Sequence, residues 1–200
     1  MNHIKNLKLK NTYYVMRHGQ SLANLKGLII SSPRQAINGY GLSAYGKRQV
    51  RDAIRNCKEL NKDTIIYSSD FKRARQTAEI ARVVLNAKKP HLTKKLRERY
   101  FGYLDKTIDK NYSKVWDIDL NCKPLDNIES VQSIVARVTG LVSKLEKRYK
   151  NKKILLVSHG DPLNILLTCM SGKDPRQHHK YFQLNISEIK KASPPLPAHR

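Results

Sequence analysis

The fold is indicated by the stretch YYVMRHGQS, residues 13–21, in which an apolar run ends in charged and flexible residues. The apolar part is typical of a short buried strand. Directly behind it, Arg17, His18 and Gly19 supply a cation, an imidazole and a flexible glycine. Because ligands of parallel α/β sheets gather outside the carboxyl ends of the strands, this stretch predicts an anion site at such a sheet edge.

Two further apolar runs, at residues 64–67 and 154–157, have the same character, and small or polar residues follow each of them. We interpret both as buried parallel strands. After the first, Asp70 is placed to cap a helix from Phe71 to about Leu85. After the second, Asp161 can cap the next helix, and the proline behind it can occupy the first helical position.

Two longer segments have helical patterns. One runs from about Ser43 to Leu60, and the other from Ile128 to Tyr149, where apolar residues recur at spacings of three and four. Alternating strands and helices predict a three-layer α/β/α sandwich with a mostly parallel central sheet.

The length of 200 residues fits one domain, which we assign to residues 1–192. Acidic residues outnumber basic ones only between Asp105 and Glu129, so we predict a cap-like excursion at about 103–127. Three prolines between residues 193 and 200 predict a loosely held tail.

The chain is strongly basic, with 39 Lys and Arg against 16 Asp and Glu and a formal net charge of +23. Such a surface attracts anions in general, and nonspecific contact with nucleic acid is one consequence. A polyanion-binding protein without catalysis is therefore one hypothesis. The basic residues are spread along the chain, however, and no zinc finger or aromatic RNA-binding signature accompanies them.

Other classes of protein do not fit the sequence. No apolar stretch reaches the roughly 18 residues that a membrane helix needs, and no secretory signal follows the Lys-rich start. Three widely separated cysteines, Cys57, Cys122 and Cys169, favour a reducing cytoplasm. We expect no metal site, because adjacent His178 and His179 lack the spacing of paired helical ligands, and we predict that both lie at the surface.

The residues at the predicted strand ends suit phosphoryl transfer. A neutral imidazole can attack phosphorus, and Arg donors can stabilise the charge on the phosphoryl oxygens. The leaving group also needs a proton donor. Glu98 follows a probable strand and is flanked by two arginines, and it is our candidate general acid.

These residues resemble the motifs of the histidine phosphatase superfamily, also called the phosphoglycerate mutase-like family. The resemblance spans most of the chain and rests on six motifs in the family's order. They are Arg17-His18-Gly19-Gln20-Ser21-x-x-Asn24, Leu42-Ser43-x-x-Gly46-x-x-Gln49, Ser68-Ser69-Asp70-x-x-Arg73-Ala74-x-Gln76-Thr77-Ala78, Glu98-Arg99-x-Phe101-Gly102, Glu129-Ser130 and Ser158-His159-Gly160.

The resemblance implies roles for individual residues. His18 would be the phosphorylated nucleophile, and Glu98 would act as acid and base. The transferring phosphoryl group would be bound by Arg17, Arg73 and His159, with further contacts from Asn24 and the backbone at Gly160. The family's chemistry requires no metal, and we expect no cofactor.

The resemblance also implies the reaction, which is hydrolysis of a phosphomonoester on a small phosphorylated metabolite. A cofactor-dependent phosphoglycerate mutase is the alternative. Mutases of the family are generally longer and carry a His-Tyr-Gly element after the catalytic Glu, for which residues 100–102 are only a partial counterpart. A phosphatase is therefore favoured.

Overall fold

The structure, a computed structural model, describes residues 9–120 and 127–192. Within them, one sheet has its strands in the spatial order β3-β2-β4-β1-β5. Strand β5 is antiparallel to β1, and the other pairings are parallel. The strands are β1 (Thr12–Arg17), β2 (Ile65–Ser68), β3 (His91–Leu92), β4 (Lys153–Ser158) and β5 (Ile189–Ala192).

Helices cover both faces of this sheet. The α-helices are α1 (Leu22–Leu25), α2 (Pro33–Ala36), α3 (Ala44–Asn56), α4 (Lys72–Leu85), α5 (Tyr112–Leu120), α6 (Val131–Arg148), α7 (Gly160–Met170) and α8 (His178–Tyr181). Short 3-10 helices lie at Lys94–Leu96, Gly102–Leu104, Asp109–Asn111 and Pro175–Gln177.

The alternating side chains of β1 divide the core into two layers. Tyr13 and Val15 pack with the apolar residues of α6 and α7 on one face. Tyr14 and Met16 pack with α3 and α4 on the other. Burial of each such side chain contributes roughly 1.5–3 kcal/mol. The predicted α/β/α sandwich with a mostly parallel sheet is confirmed.

Two helix boundaries differ from the sequence prediction. Helix α3 ends at Asn56 rather than near Leu60, because Cys57 leaves the helical conformation with ψ of 87°. Leu60 is still buried, but it enters the core from the turn that follows. Helix α6 starts three residues later than predicted, because the Ser130 hydroxyl caps it by accepting a hydrogen bond from the Ser133 amide.

Both predicted aspartate caps are wrong. Phe71 occupies the N-cap position of α4, and the Asp70 carboxylate instead accepts two hydrogen bonds from Arg97, at 2.7 and 2.6 Å. Helix α7 begins at Gly160. Asp161 therefore lies inside its first turn, and Pro162 is the third helical residue rather than the first. Charged partners distant in sequence satisfy these carboxylates in place of the local backbone.

Residues 103–120 and 127 form the described part of the predicted excursion. Asp105 ties it to the loop after α1, because its carboxylate accepts hydrogen bonds from the Ser31 amide, the Ser31 hydroxyl and the Ser32 amide. The end of the excursion, at residues 121–126, and the Pro-containing tail, at 193–200, lie outside the described residues. Among residues 9–120 and 127–192, no helix combines the length and apolarity needed to cross a membrane.

Candidate active site

His18 lies just beyond β1 and is held in one neutral tautomer by both of its ring nitrogens. Its Nδ1 is 2.8 Å from the Gly19 carbonyl oxygen, which can only accept, so Nδ1 carries the hydrogen. Its Nε2 accepts a hydrogen bond from Arg73 Nε at 3.0 Å. Burial, together with the charges of Arg73 and Arg17, holds the pKa of His18 well below its usual range. Nε2 is therefore unprotonated near neutral pH, and its lone pair accepts the Arg73 hydrogen bond.

The loop that carries His18 is fixed by helices α3 and α4. The Gly19 amide donates to the Thr77 hydroxyl of α4, and the Gln20 amide donates to the Gln49 side chain of α3. Gly46 allows α3 to approach this loop closely, because a Cβ there would overlap the Gln20 carbonyl oxygen. These residues belong to the second and third sequence motifs, and their contacts support the nucleophile loop.

Arg73 is a buried cation in the first turn of α4, with only 4% of its surface exposed. Besides donating to His18, its Nη2 donates to the Ile30 carbonyl at 3.0 Å. Burial lowers the pKa of Arg73 from its ordinary value, but the group remains charged at any physiological pH. The guanidinium is thereby aimed at the nucleophile.

His159 follows β4 and faces His18, with the two ring centroids 5.1 Å apart. Its Nε2 lies 2.9 Å from the Ser69 hydroxyl, which also accepts the Phe71 amide. This arrangement favours donation by the Ser69 hydroxyl to Nε2, which leaves the hydrogen on Nδ1. Burial, Arg73 and His18 lower the pKa of His159, so the ring is neutral.

Three buried donor atoms at this edge make no hydrogen bond within the described residues. They are Arg17 Nε, Arg73 Nη1 and His159 Nδ1. Arg17 is anchored by its Nη1, which donates to the Leu184 carbonyl at 2.9 Å, and a Cβ at Gly160 would lie 3.6 Å from its guanidinium carbon. Unpaired buried donors are costly in a folded protein, and a tetrahedral oxyanion would satisfy them together.

Glu98 lies in the loop after the 3-10 helix at Lys94–Leu96, where the sequence had predicted a strand. The strand β3 is only two residues long, and buried Leu96 ends the short helix that follows it. Burial, reinforced by the nearby charge of Asp161 and opposed by Arg73, raises the pKa of Glu98 to about 7. A carboxyl group with this pKa can both donate and accept a proton near neutral pH.

Asn24 belongs to the capping box of α1. Its Oδ1 accepts hydrogen bonds from the Ser21 amide and the Ser21 hydroxyl, at 3.0 and 2.8 Å. The Ser21 hydroxyl in turn caps the helix at the Asn24 amide. The side-chain oxygen of Asn24 is thus engaged in local structure. Its predicted contact with phosphate would have to come from the side-chain NH2 group.

A buried ionic cluster behind Glu98 was not predicted from the sequence. It is formed by Arg99, Asp119, Asp161, Trp116 and His178. His178 has no exposed surface, so its predicted surface position is wrong. Asp161, the partner of His178, is too distant in sequence for a local pattern to reveal the contact. The apolar composition of α7 is the one signal that its first turn is buried.

An aromatic stack joins the excursion to α8 at the same place. Trp116 stacks on Tyr112 within α5 and on His179, with centroids 5.9 and 5.4 Å apart. His179 is partly exposed, in keeping with its predicted surface position, although its ring is held by this stack. Tyr112 is close enough to Glu98 for the carboxylate charge to add to the burial that raises the pKa of its phenol. The excursion thus contributes one wall of the site.

Metal-binding geometry is a separate question. Among residues 9–120 and 127–192, no group of three or more His, Cys, Asp or Glu side chains is arranged to hold a metal ion. Within the same residues, Cys57 and Cys169 are free thiols.

Comparison with known proteins identifies a matching family. The family model for the histidine phosphatase superfamily (branch 1) matches residues 13–192. The chain is 30% identical to an uncharacterized phosphatase of Bacillus subtilis, PhoE, over 80% of its length and 78% of that protein. It is also 30% identical to an Escherichia coli protein designated a probable phosphoglycerate mutase, GpmB, over 80% of this chain and 74% of that one.

A solved structure with similar architecture is that of phosphoserine phosphatase from Entamoeba histolytica in complex with 3-phosphoglyceric acid. It is 27% identical to this chain, with a TM-score of 0.72 over 90% of this chain and 88% of that one. The resemblance inferred from the six motifs is confirmed.

Proposed function

The chain belongs to the histidine phosphatase superfamily, and we propose that it hydrolyses phosphomonoesters through a phosphohistidine formed on His18. One observation carries the proposal. The Gly19 carbonyl and the Arg73 guanidinium hold the imidazole neutral, with the Nε2 lone pair turned toward buried cationic donors. That is the state in which an imidazole can attack phosphorus.

In the first step, the phosphoryl oxygens take the Arg73 Nε hydrogen bond away from His18, and Nε2 forms a bond to phosphorus while the bond to the ester oxygen breaks. Protonated Glu98 gives its proton to that oxygen, so the leaving group departs as a neutral alcohol. Arg17, Arg73 and His159 donate hydrogen bonds to the phosphoryl oxygens, whose charge they balance in the transition state.

In the second step, ionised Glu98 takes a proton from a water molecule, and the water oxygen attacks phosphorus. The bond between Nε2 and phosphorus breaks, which returns His18 to its neutral form and releases inorganic phosphate. The pKa of about 7 suits Glu98 to both halves of the cycle.

The proposed substrate is a small phosphorylated metabolite. The Asn24 amide and the backbone at Gly160 would add contacts to its phosphate. No step requires a metal, and the wide separation of the three cysteines in the sequence favours the cytoplasm as the place of action. The excursion wall around Tyr112 would face the alcohol part of the ester.

A mutase is the second candidate, because one relative carries that designation. Both reactions share the phosphohistidine and differ in whether water or a second hydroxyl accepts the phosphoryl group. Phosphate release should be measured over a panel of phosphorylated metabolites in EDTA, beside isomerisation of 3-phosphoglycerate. Release without isomerisation supports the hydrolase, whereas isomerisation that outpaces release, or activity that only added metal restores, contradicts it.

A further inference from the structure

The buried cluster behind Glu98 has no part in the proposed steps, yet it touches the loop that carries the acid. Asp161 and Arg99 are 4% and 2% exposed. The Arg99 amide donates to Glu98 Oε1 at 2.9 Å, and the Arg99 side chain extends into the cluster. The same residue therefore links the candidate acid to Asp161.

Side chains from three other parts of the chain contact the Asp161 carboxylate. Arg99 Nη1 lies 3.4 Å from its Oδ2, and Trp116 Nε1 of α5 lies 3.2 Å from its Oδ1. His178 Nε2 of α8 lies 3.4 Å from Oδ1, while His178 Nδ1 donates to the Pro175 carbonyl. The carboxylate thus joins α7 to the acid loop, the excursion helix and α8.

The charges in this cluster balance only while His178 is protonated. Arg99 makes two short hydrogen bonds to the Asp119 carboxylate, at 2.6 and 2.7 Å, so Asp119 is its main counterion. Asp161 shares the same cation at a longer distance. Once His178 has lost the proton on Nε2, one positive and two negative charges remain. In a buried site, solvent screens the excess negative charge only weakly.

We propose that Asp161 is a positioning residue for proton transfer: it holds the Arg99 loop against the excursion helix, and its negative charge opposes ionisation of Glu98. The inference rests on the proposed role of Glu98 as general acid. It assigns to the first turn of α7 a function distinct from the phosphate contacts proposed for Gly160.

The groups that face Glu98 act in opposite directions. Burial and Asp161 raise the pKa of Glu98, whereas Arg73 of α4 and Arg17 at the end of β1 lower it. Tyr112 of α5 is uncharged near neutral pH, and burial raises its pKa further. A general acid works in its protonated form, so kcat/KM for an alkyl phosphate falls as pH rises through the pKa of Glu98.

His178 and Asp119 complete the set of titratable groups in the cluster. Burial alone would lower the pKa of His178, but Asp161 and Asp119 raise it above the usual value. Burial alone would raise the pKa of Asp161, but His178, Arg99 and Trp116 lower it to about 2. Asp161 is therefore ionised throughout the pH range in which Glu98 titrates.

The test is the pH profile of kcat/KM for an alkyl phosphate in Asp161→Asn. We expect the basic limb to move to lower pH by about one unit, because the variant removes the charge that opposes ionisation of Glu98. Asp161→Glu should keep the limb close to its wild-type position. If Asp161→Asn does not fold, Asp119→Asn replaces it, since that change frees Arg99 to neutralise Asp161 and should move the limb in the same direction.

A matched control is Glu146→Gln. Glu146 is a buried carboxylate near the end of α6 that accepts hydrogen bonds from the Lys10 amide, Asn11 and Tyr13. The control should lower the melting temperature and leave the pH profile unchanged, which separates a merely structural effect from a specific one.

Glu98→Gln distinguishes the two possible failures. If this variant has lost the basic limb while the limb stays in place in the folded Asp161 or Asp119 variant, the inference about Asp161 is overturned and the proposed function stands. If Glu98→Gln retains the basic limb, the acid assignment fails, and the inference fails with it.

Discussion

At the scale of single residues, the acid and the cation make separable contributions to the proposed reaction. An alkyl phosphate leaves as a basic alkoxide, whereas p-nitrophenolate departs without a proton. Glu98→Gln should therefore slow phosphorylation by alkyl phosphates about 100- to 10,000-fold and affect p-nitrophenyl phosphate far less. Single-turnover measurements isolate this step from hydrolysis of the phosphohistidine.

Arg73→Ala is the matched comparison in that experiment. Because Arg73 contacts His18 and would act on the phosphoryl group itself, we expect both substrates to slow by similar factors. Equal slowing of both substrates by Glu98→Gln would show that the carboxylate does not protonate the leaving group.

The sequence predicts which residues meet at the sheet edge better than it predicts their partners. His18 and His159 come directly after strands β1 and β4, and Arg73 lies in the first turn of the helix that follows β2. Because these strands are parallel, the three side chains meet at the same edge of the sheet. Asp70 and Asp161 have the local pattern of helix caps, but arginines 27 and 62 residues away bind them instead. Local propensity contains no information about such distant competitors.

At the scale of elements, the approach of α3 to the nucleophile loop depends on a residue without a side chain. Gly46→Ala would drive a methyl group into the Gln20 carbonyl oxygen. We expect a loss of about 3 kcal/mol in the free energy of unfolding, even though alanine favours helix, together with a lower kcat. Urea denaturation and steady-state kinetics measure the two effects.

Gly140→Ala is the control for this prediction. Gly140 is an exposed residue inside α6, and a Cβ there meets no atom within 4 Å. The change should stabilise the protein by about 1 kcal/mol through helix propensity alone. A Gly46 variant as stable and active as the Gly140 variant would contradict the close packing of α3 on the loop.

Element prediction succeeds where the apolar pattern is long or repeated. The three predicted strands each lie within one residue of the observed limits, because their apolar runs form the centre of the sheet. The segment before Glu98 is different. Two of its three helical residues are lysines, and only Leu96 is buried, so pattern alone could not separate a short strand from a 3-10 turn.

At the scale of the whole molecule, the net charge of +23 should make both stability and catalysis depend on salt. Raising NaCl from about 0.01 to 0.15 M shortens the screening length from about 30 to 8 Å. Repulsion among the surface cations then weakens, so the melting temperature should rise. Attraction of an anionic substrate also weakens, so kcat/KM should fall.

Chloride is the suitable anion, since phosphate or sulfate would stabilise the fold by occupying the site. Scanning calorimetry and initial rates over the same salt series provide the measurement. A melting temperature that falls with added NaCl would contradict the prediction that repulsion among surface cations destabilises the folded state.

The central claim is that phosphate passes through a covalent bond to His18, and trapping that bond tests it most directly. The enzyme is mixed with ³²P-labelled substrate and quenched rapidly without acid, and the labelled peptide is sequenced. We expect an acid-labile label on His18, absent from His18→Ala, and longer-lived in Glu98→Gln because the attacking water has lost its base. Label on Ser21, or full activity with no labelled enzyme, would contradict the claim.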